Sequence, residues 1–224
     1  MTQPDASPSA RLDNVVLADR FVKALAFAIG AHGQQVRKGT EVTYVSHLLG
    51  VAGLVLEFGG DEDLAVAGLL HDAVEDTADH NGPAMAATIR STFGDRVASV
   101  VNACSDTDVH PKPPWRPRKE AYLAHLATAT REVLLVSCCD KLHNARTTVI
   151  ELHEKGPDFW ERAEGAERFN AKAPDQVWYY LELSRVFSER LGADGVLAPL
   201  ASELSRTVDT IARLAAGATG PSGR

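Results

Sequence analysis

The chain has 224 residues, 45% of them hydrophobic and 24% charged, with a formal net charge of −7. That length suits one domain with a sizeable core, and the composition lies well away from the disordered and fibrous classes. The acidic balance excludes broad electrostatic attraction to nucleic acid or to an anionic membrane, so any anionic ligand needs a local basic pocket.

Residues 1–12 are rich in Ser, Pro and Ala and read as a flexible tail. They lack a basic stretch followed by an apolar one, and no later apolar run reaches the length of a membrane span, which points to the cytoplasm. A single domain is expected over 13–216, followed by a Gly- and Ser-containing tail over 217–224 with no synthetic or regulatory domain beyond it. Val15, Leu17, Phe21, Leu25 and Ile29 recur at mostly three- and four-residue steps, which is helical spacing. Further helices are predicted over 44–58, 61–76, 83–93, 95–104, 117–128, 131–153, 174–191 and 196–215. The fold class is therefore an all-α bundle. Four prolines, Pro111, Pro113, Pro114 and Pro117, forbid a continuous helix across 110–117 and mark an ordered loop. Cys104, Cys138 and Cys139 have no metal-site spacing and read as buried, reduced thiols. Apolar faces on the C-terminal helices would let chains pair as a homo-oligomer.

The first segment that carries chemistry is Leu69 to Thr77. On a helix, His71, Asp72, Glu75 and Asp76 share one arc beside an apolar stripe of Ala67, Leu70 and Val74. Asp79, Asn81, Gly82 and Pro83 end that helix soon after, which leaves carboxylates at its negative pole, where each is disfavoured by up to ~1 kcal/mol. A divalent cation on His71 and Asp72 would compensate and leave Glu75 and Asp76 one turn away to handle a proton or a water. A solvated acidic helix end is the other reading. Asp140 follows the apolar run Val133 to Cys139, so it needs a metal, a cation such as Lys141, or hydrogen-bond donors. Asn144 and Thr147 extend a polar stripe from it at i+4 and i+7. His47 lies among apolar residues at a helix start, where a lone histidine is more often a hydrogen-bonded core residue than a ligand. Taken together, three separated helices supply His, His-Asp and Asp, the way bundles build metal sites with positions left for water and substrate.

His47, His71-Asp72 and Asp140 stand in the order and spacing of the HD phosphohydrolases, and the chain resembles that family over about residues 15 to 190. The runs His71 to Thr77 and Asp140 to Thr147, with His32 to Gly39 before the first metal histidine, are similar to the hydrolase domains of the RelA/SpoT alarmone enzymes and to the small Mesh1-type alarmone hydrolases. The resemblance implies an HD-domain bundle with the metal in its core. It implies one Mn²⁺ per chain, other divalent ions being admissible, on His47, His71, Asp72 and Asp140, with catalysis by Glu75 and Asp76. It further implies a small nucleotide substrate contacted by Arg37, Lys38, Asn144, Thr147 and Tyr179, and removal of the 3′-pyrophosphate from (p)ppGpp to give GDP or GTP and pyrophosphate. Two departures fall on the substrate side: Leu48 stands where the family often has proline, and Val101 to Asp108 replaces a Val- and Thr-rich stretch. Lys112, Arg116, Arg118 and Lys119, with Trp115 among them, either flank the phosphate side of the pocket or form a solvated loop. The metal set alone admits other nucleotides, including (p)ppApp and deoxynucleoside phosphates, and a binding protein without turnover. The intact Glu75-Asp76 pair speaks against the last.

Overall fold

The computed structural model describes residues 15–38, 40–75, 81–107, 112–160 and 171–217. Among them the chain is all-α, as expected, with helices α1 (Asp19–His32), α2 (Val45–Glu57), α3 (Glu62–Leu70), α4 (Gly82–Phe93), α5 (Asp95–Cys104), α6 (Trp115–Leu126), α7 (Arg131–Lys155), α8 (Ala173–Leu191) and α9 (Ala198–Ala215). A short 3-10 turn covers Pro157–Trp160. The expected tails, 1–12 and 217–224, lie outside the described residues apart from Gly217. No described helix is long and apolar enough to cross a membrane.

The axis of the bundle is α7, which packs against α2, α3, α5, α8 and α9. Its start is fixed by Thr130, whose hydroxyl accepts from the amide of Val133, and its end by Gly156 at φ 69°, a conformation that glycine adopts without steric cost. Between these ends the run Val133 to Asp140 is buried on every side, so α7 lies inside the molecule rather than on it. Helices α2 and α3 form a tight hairpin. A Cβ at Gly68 would stand 3.2 Å from the Ala52 Cα, so two small residues set the close approach that brings the start of α2 beside the end of α3. Asp61 caps α3 by accepting from the Leu64 amide at 3.0 Å, and Arg96 of α5 ties Asp61 to Glu132 of α7.

Several predicted boundaries differ from those observed. The helix expected over 61–76 ends at Leu70, and His71 to Glu75 continue as tight turns in which the Ala73 amide reaches back three residues to the Leu70 carbonyl. The imidazole of His71 binds the Gly68 carbonyl, one of those a continued helix would use, and this favours the tighter turn. Helix α6 begins at Trp115 rather than 117, because Pro117 falls in its first turn, where an amide has no helical partner to lose. The first helix starts at Asp19, after Val15 to Ala18, and runs to His32. The C-terminal helices also present less apolar surface than expected. Leu200, Leu204, Val208 and Ile211 of α9 are buried against α7 and α8, each fully buried leucine contributing roughly 2 kcal/mol, and Leu181 and Val196 are the large apolar side chains exposed in this region.

Candidate metal centre and its pocket

Helix α2, the turn after α3, and α7 each deliver polar side chains to one buried point. His47 and His71 are 1% and 2% exposed, and Asp140 is 6% exposed. The Nε2 atom of His47 lies 3.2 Å from Asp140 Oδ1 and 3.6 Å from Asp72 Oδ2. The Nε2 atom of His71 lies 3.1 Å from Asp72 Oδ2 and 3.5 Å from Asp140 Oδ1. Two imidazole nitrogens and two carboxylate oxygens thus alternate around a common centre. The ligand atoms of His47, His71 and Asp72 all stand within 4.8 Å of one another, and Asp140 joins through its contacts with both imidazoles.

The donor set fits a divalent cation. Neighbouring ligands around a six-coordinate ion with bonds of about 2.1 Å are about 3 Å apart, close to the four spacings found here. His71 Nδ1 must donate to the Gly68 carbonyl at 2.8 Å, since a carbonyl only accepts, and this turns Nε2 toward the centre as the ring atom left to meet a cation. That buried Nε2 makes no hydrogen bond in the protein. Burial alone would push both carboxyls up. His71 beside Asp72, and Lys141 with the two imidazoles beside Asp140, outweigh it and hold both well below the usual carboxylate range. Burial likewise disfavours a charged His71, yet Asp72 and Asp140 draw a proton onto it and raise it well above an ordinary histidine. Buried Asp140 and half-buried Asp72 therefore demand positive charge at this point, which a divalent ion would supply.

Each candidate ligand has a partner behind it. The Tyr44 hydroxyl donates to Asp72 Oδ2 at 2.5 Å. Lys141 Nζ and Asn144 Nδ2 donate to the two oxygens of Asp140, at 2.5 and 2.6 Å. His47 Nδ1 stands 2.9 Å from His143 Nδ1. Burial, with His47 and Arg37 nearby, pushes His143 down to about 4, so its ring is neutral near pH 7 and can accept the proton on His47 Nδ1, leaving His47 Nε2 to face the centre. The His143 ring fits only because Gly50 lacks a side chain: a Cβ there would lie 2.3 Å from its Cδ2 and Nε2 atoms.

Beside this centre opens a cavity of about 350 Å³. It brings together Arg37, Lys38, Asn144, Thr147 and Tyr179, all expected to meet substrate, and Glu75. Arg37 donates to Asn144 Oδ1 at 3.0 Å, and the Tyr179 hydroxyl is buried without a hydrogen-bond partner in the protein. Glu75 accepts from Lys112 at 2.8 Å. Its burial, with Asp106 and Asp72 nearby, outweighs that lysine and raises its carboxyl, as suits a proton acceptor. Asp76 lies outside the described residues. Of the basic cluster around the proline-rich loop, Lys112, Trp115, Arg118 and Lys119 line the cavity. Arg116 is instead stacked 3.3 Å over Trp178 and paired with Asp175. Arg118 and Lys119 both bind Asp106.

The sequence offered Lys141 as a cation for Asp140, and the two are paired here; it assigned no role to Tyr44, His143 or Glu151. His143 stands three residues after Asp140, a spacing that puts both on adjacent faces of a helix and was the available signal. Tyr44 and Glu151 carried none.

A family model described as the HD domain matches residues 24–161. The guanosine-3′,5′-bis(diphosphate) 3′-pyrophosphohydrolase MESH1 of Xenopus tropicalis is 35% identical over 152 residues, which are 66% of this chain and 78% of that protein. A probable guanosine-3′,5′-bis(diphosphate) 3′-pyrophosphohydrolase of Synechocystis is 38% identical over 133 residues, 56% of this chain, and the match spans 16% of that much longer protein. Among solved structures, lmo0812 from Listeria monocytogenes is 30% identical, superposes with a TM-score of 0.62, and is covered over 97% of its length by 74% of this chain. A metazoan ortholog of SpoT that hydrolyses ppGpp shares the fold, with a TM-score of 0.64 at 22% identity over 92% of this chain and 99% of the other.

Proposed function

The chain belongs to the HD-domain family, and from that premise we propose that it is a metal-dependent hydrolase of (p)ppGpp-type alarmones, cleaving off the 3′-pyrophosphate to leave GDP or GTP. HD-domain hydrolases are metal-dependent, and Mn²⁺ is the ion proposed here, one per chain, on His47, His71, Asp72 and Asp140. The observation that carries the reading is the convergence of His47 Nε2, His71 Nε2 and the Asp72 and Asp140 carboxylates on one point at the edge of a cation-lined cavity. A small nucleotide is the substrate and the cytoplasm the site of action, in keeping with three free, buried thiols.

Water adds to the phosphorus attached to the ribose 3′-oxygen, the bond between them breaks, and the 3′-oxygen leaves with a proton. A divalent ion held by His47, His71, Asp72 and Asp140 would supply positive charge to a phosphoryl oxygen and lower the pKa of a water near neutral pH. Glu75 takes the proton from that water. Its raised carboxyl gives it enough basicity for the task, and Lys112 holds it in place. Asp76, its neighbour in sequence, is assigned to the same proton handling. Arg37 and Lys38 meet the phosphates, the first as a planar fork and the second as a point charge. Asn144 and Thr147, on the stripe that begins at Asp140, orient the nucleoside with Tyr179.

The test is release of pyrophosphate and GDP from ppGpp by metal-stripped protein with and without added Mn²⁺, beside ppApp and a panel of deoxynucleoside monophosphates. Mn²⁺-dependent pyrophosphate release from ppGpp is expected. Hydrolysis confined to the other nucleotides overturns the substrate, and silence on all of them overturns turnover itself.

A further inference from the structure

One acidic side chain in the cavity has no part in the chemistry above. Beside Arg37, Lys38, Lys112 and the cations of α6, the described lining holds two carboxylates, Glu75 and Glu151. Glu75 sits near the metal centre, whereas Glu151 lies eleven residues beyond Asp140 on α7, about 16 Å along the helix axis. Asp140, Asn144, Thr147 and Glu151 succeed one another at steps of four, three and four, so they form one continuous stripe on α7, of which Asn144, Thr147 and Glu151 line the cavity. The Glu151 side chain is 13% exposed and accepts from Lys155 one turn on. A carboxylate has room for further donors, since its two oxygens offer about four lone-pair sites.

A negative charge in a pocket for a polyanion weakens phosphate binding wherever a phosphate comes close. Glu151 is compatible with such a ligand only if the far end of the cavity receives a part rich in hydrogen-bond donors. With the scissile phosphate at the metal centre, that part is the nucleobase. Phe159 and Tyr180 line the cavity, and the Tyr180 hydroxyl stands 3.2 Å from Thr148 Oγ1, on the α7 turn just before Glu151. They give a purine apolar surface to lie against.

We propose that Glu151 is the specificity-determining residue of this site and selects guanine over adenine. The inference rests on the alarmone reading given above. The Watson–Crick edge of guanine presents N1–H and N2–H side by side, two parallel donors for the two oxygens of one carboxylate. Adenine presents an N6–H donor beside the N1 lone pair, and that lone pair faces the second carboxylate oxygen with nothing to donate. Replacing the carboxylate by an amide of the same shape turns one acceptor into a donor and creates the complement of adenine.

The experiment measures kcat/KM on ppGpp and ppApp, and binding of GDP and ADP by calorimetry, for the wild-type chain, Glu151→Gln and Glu151→Ala with Mn²⁺ present. The wild type is expected to favour guanine in both assays. Glu151→Gln should lose about 10- to 100-fold on the guanine ligand and gain on the adenine one, while Glu151→Ala should lose the preference without that gain. The inference is overturned if the wild type binds GDP and ADP equally, or if the ratio stays within twofold across the three proteins. The two readings fail separately. A GDP preference that inverts in Glu151→Gln without any alarmone turnover removes the alarmone reading and keeps base selection, and ppGpp turnover with an unmoved ratio does the reverse.

Discussion

Gly50 and His143 illustrate how much a single missing side chain can set. Alanine is a better helix former than glycine by roughly 1 kcal/mol, so on propensity alone Gly50→Ala should stabilise α2. Its Cβ would occupy the space of the His143 ring and break the contact with His47. We expect Gly50→Ala to melt at or above the wild-type temperature while binding Mn²⁺ about 10- to 100-fold more weakly, as outer partners of metal ligands generally do when removed, and His143→Ala to bind as weakly. Calorimetric titration beside thermal melts checks this, and unchanged affinity in both variants rejects the contact as a support of the site. Glu75→Gln tests a different role. It should keep metal and fold and lose about 100-fold or more in turnover, and near-wild-type kinetics would remove Glu75 from proton transfer. His47, His71 and Asp140 were legible in the sequence because each interrupts an apolar run, where an unsatisfied polar group costs several kcal/mol. His143, partly exposed and followed by Asn144, creates no such conflict, and only its three-residue spacing from Asp140 pointed to it.

At the level of elements, helical periodicity located α2, α4, α5, α7, α8 and α9 to within a few residues, since their apolar stripes face one core. The early end of α3 was not legible, because it follows from side-chain bonding at His71 and leaves no trace in periodicity. The link between α5 and α6 was also hidden. Asp106, just past α5, is clasped by Arg118 and Lys119 of α6, residues that read in sequence as part of a basic loop. Burial tends to raise the Asp106 carboxyl, but Lys119 and Arg118 outweigh it and hold it at about 2. A depressed carboxyl stabilises the fold above its unfolded value near pH 4 and loses that contribution as pH falls through about 2. Asp106→Asn should therefore be less stable than wild type at pH 5 to 7, with the gap in urea midpoint closing steadily between about pH 4 and pH 2. A gap independent of pH would mean that the side chain acts through shape rather than charge.

For the whole molecule, the candidate ligands come from α2, the turn after α3, and α7, so an ion held by them joins three parts of the bundle that are far apart in sequence. Binding to the folded state alone adds about 2.7 kcal/mol at a free ion concentration one hundred times the dissociation constant. For a chain of this size that corresponds to roughly 5 to 10 °C in melting temperature. Chelation should lower the Tm by that amount, re-addition of Mn²⁺ should restore it, and a melt indifferent to chelator would show that the site holds no ion in the folded protein. The same burial that places Asp140 within the core also encloses Cys138 and Cys139 just before it, with Cys104 opposite on α5. Burial pushes the Cys104 thiol up to about 11 and raises the other two as well, so all three stay protonated and shielded while α5 and α7 remain together. Their reaction with a thiol reagent is thus a clock for the opening of this helix pair: it runs at the rate at which the innermost layer of the protein comes apart, and it reports that event without any added label.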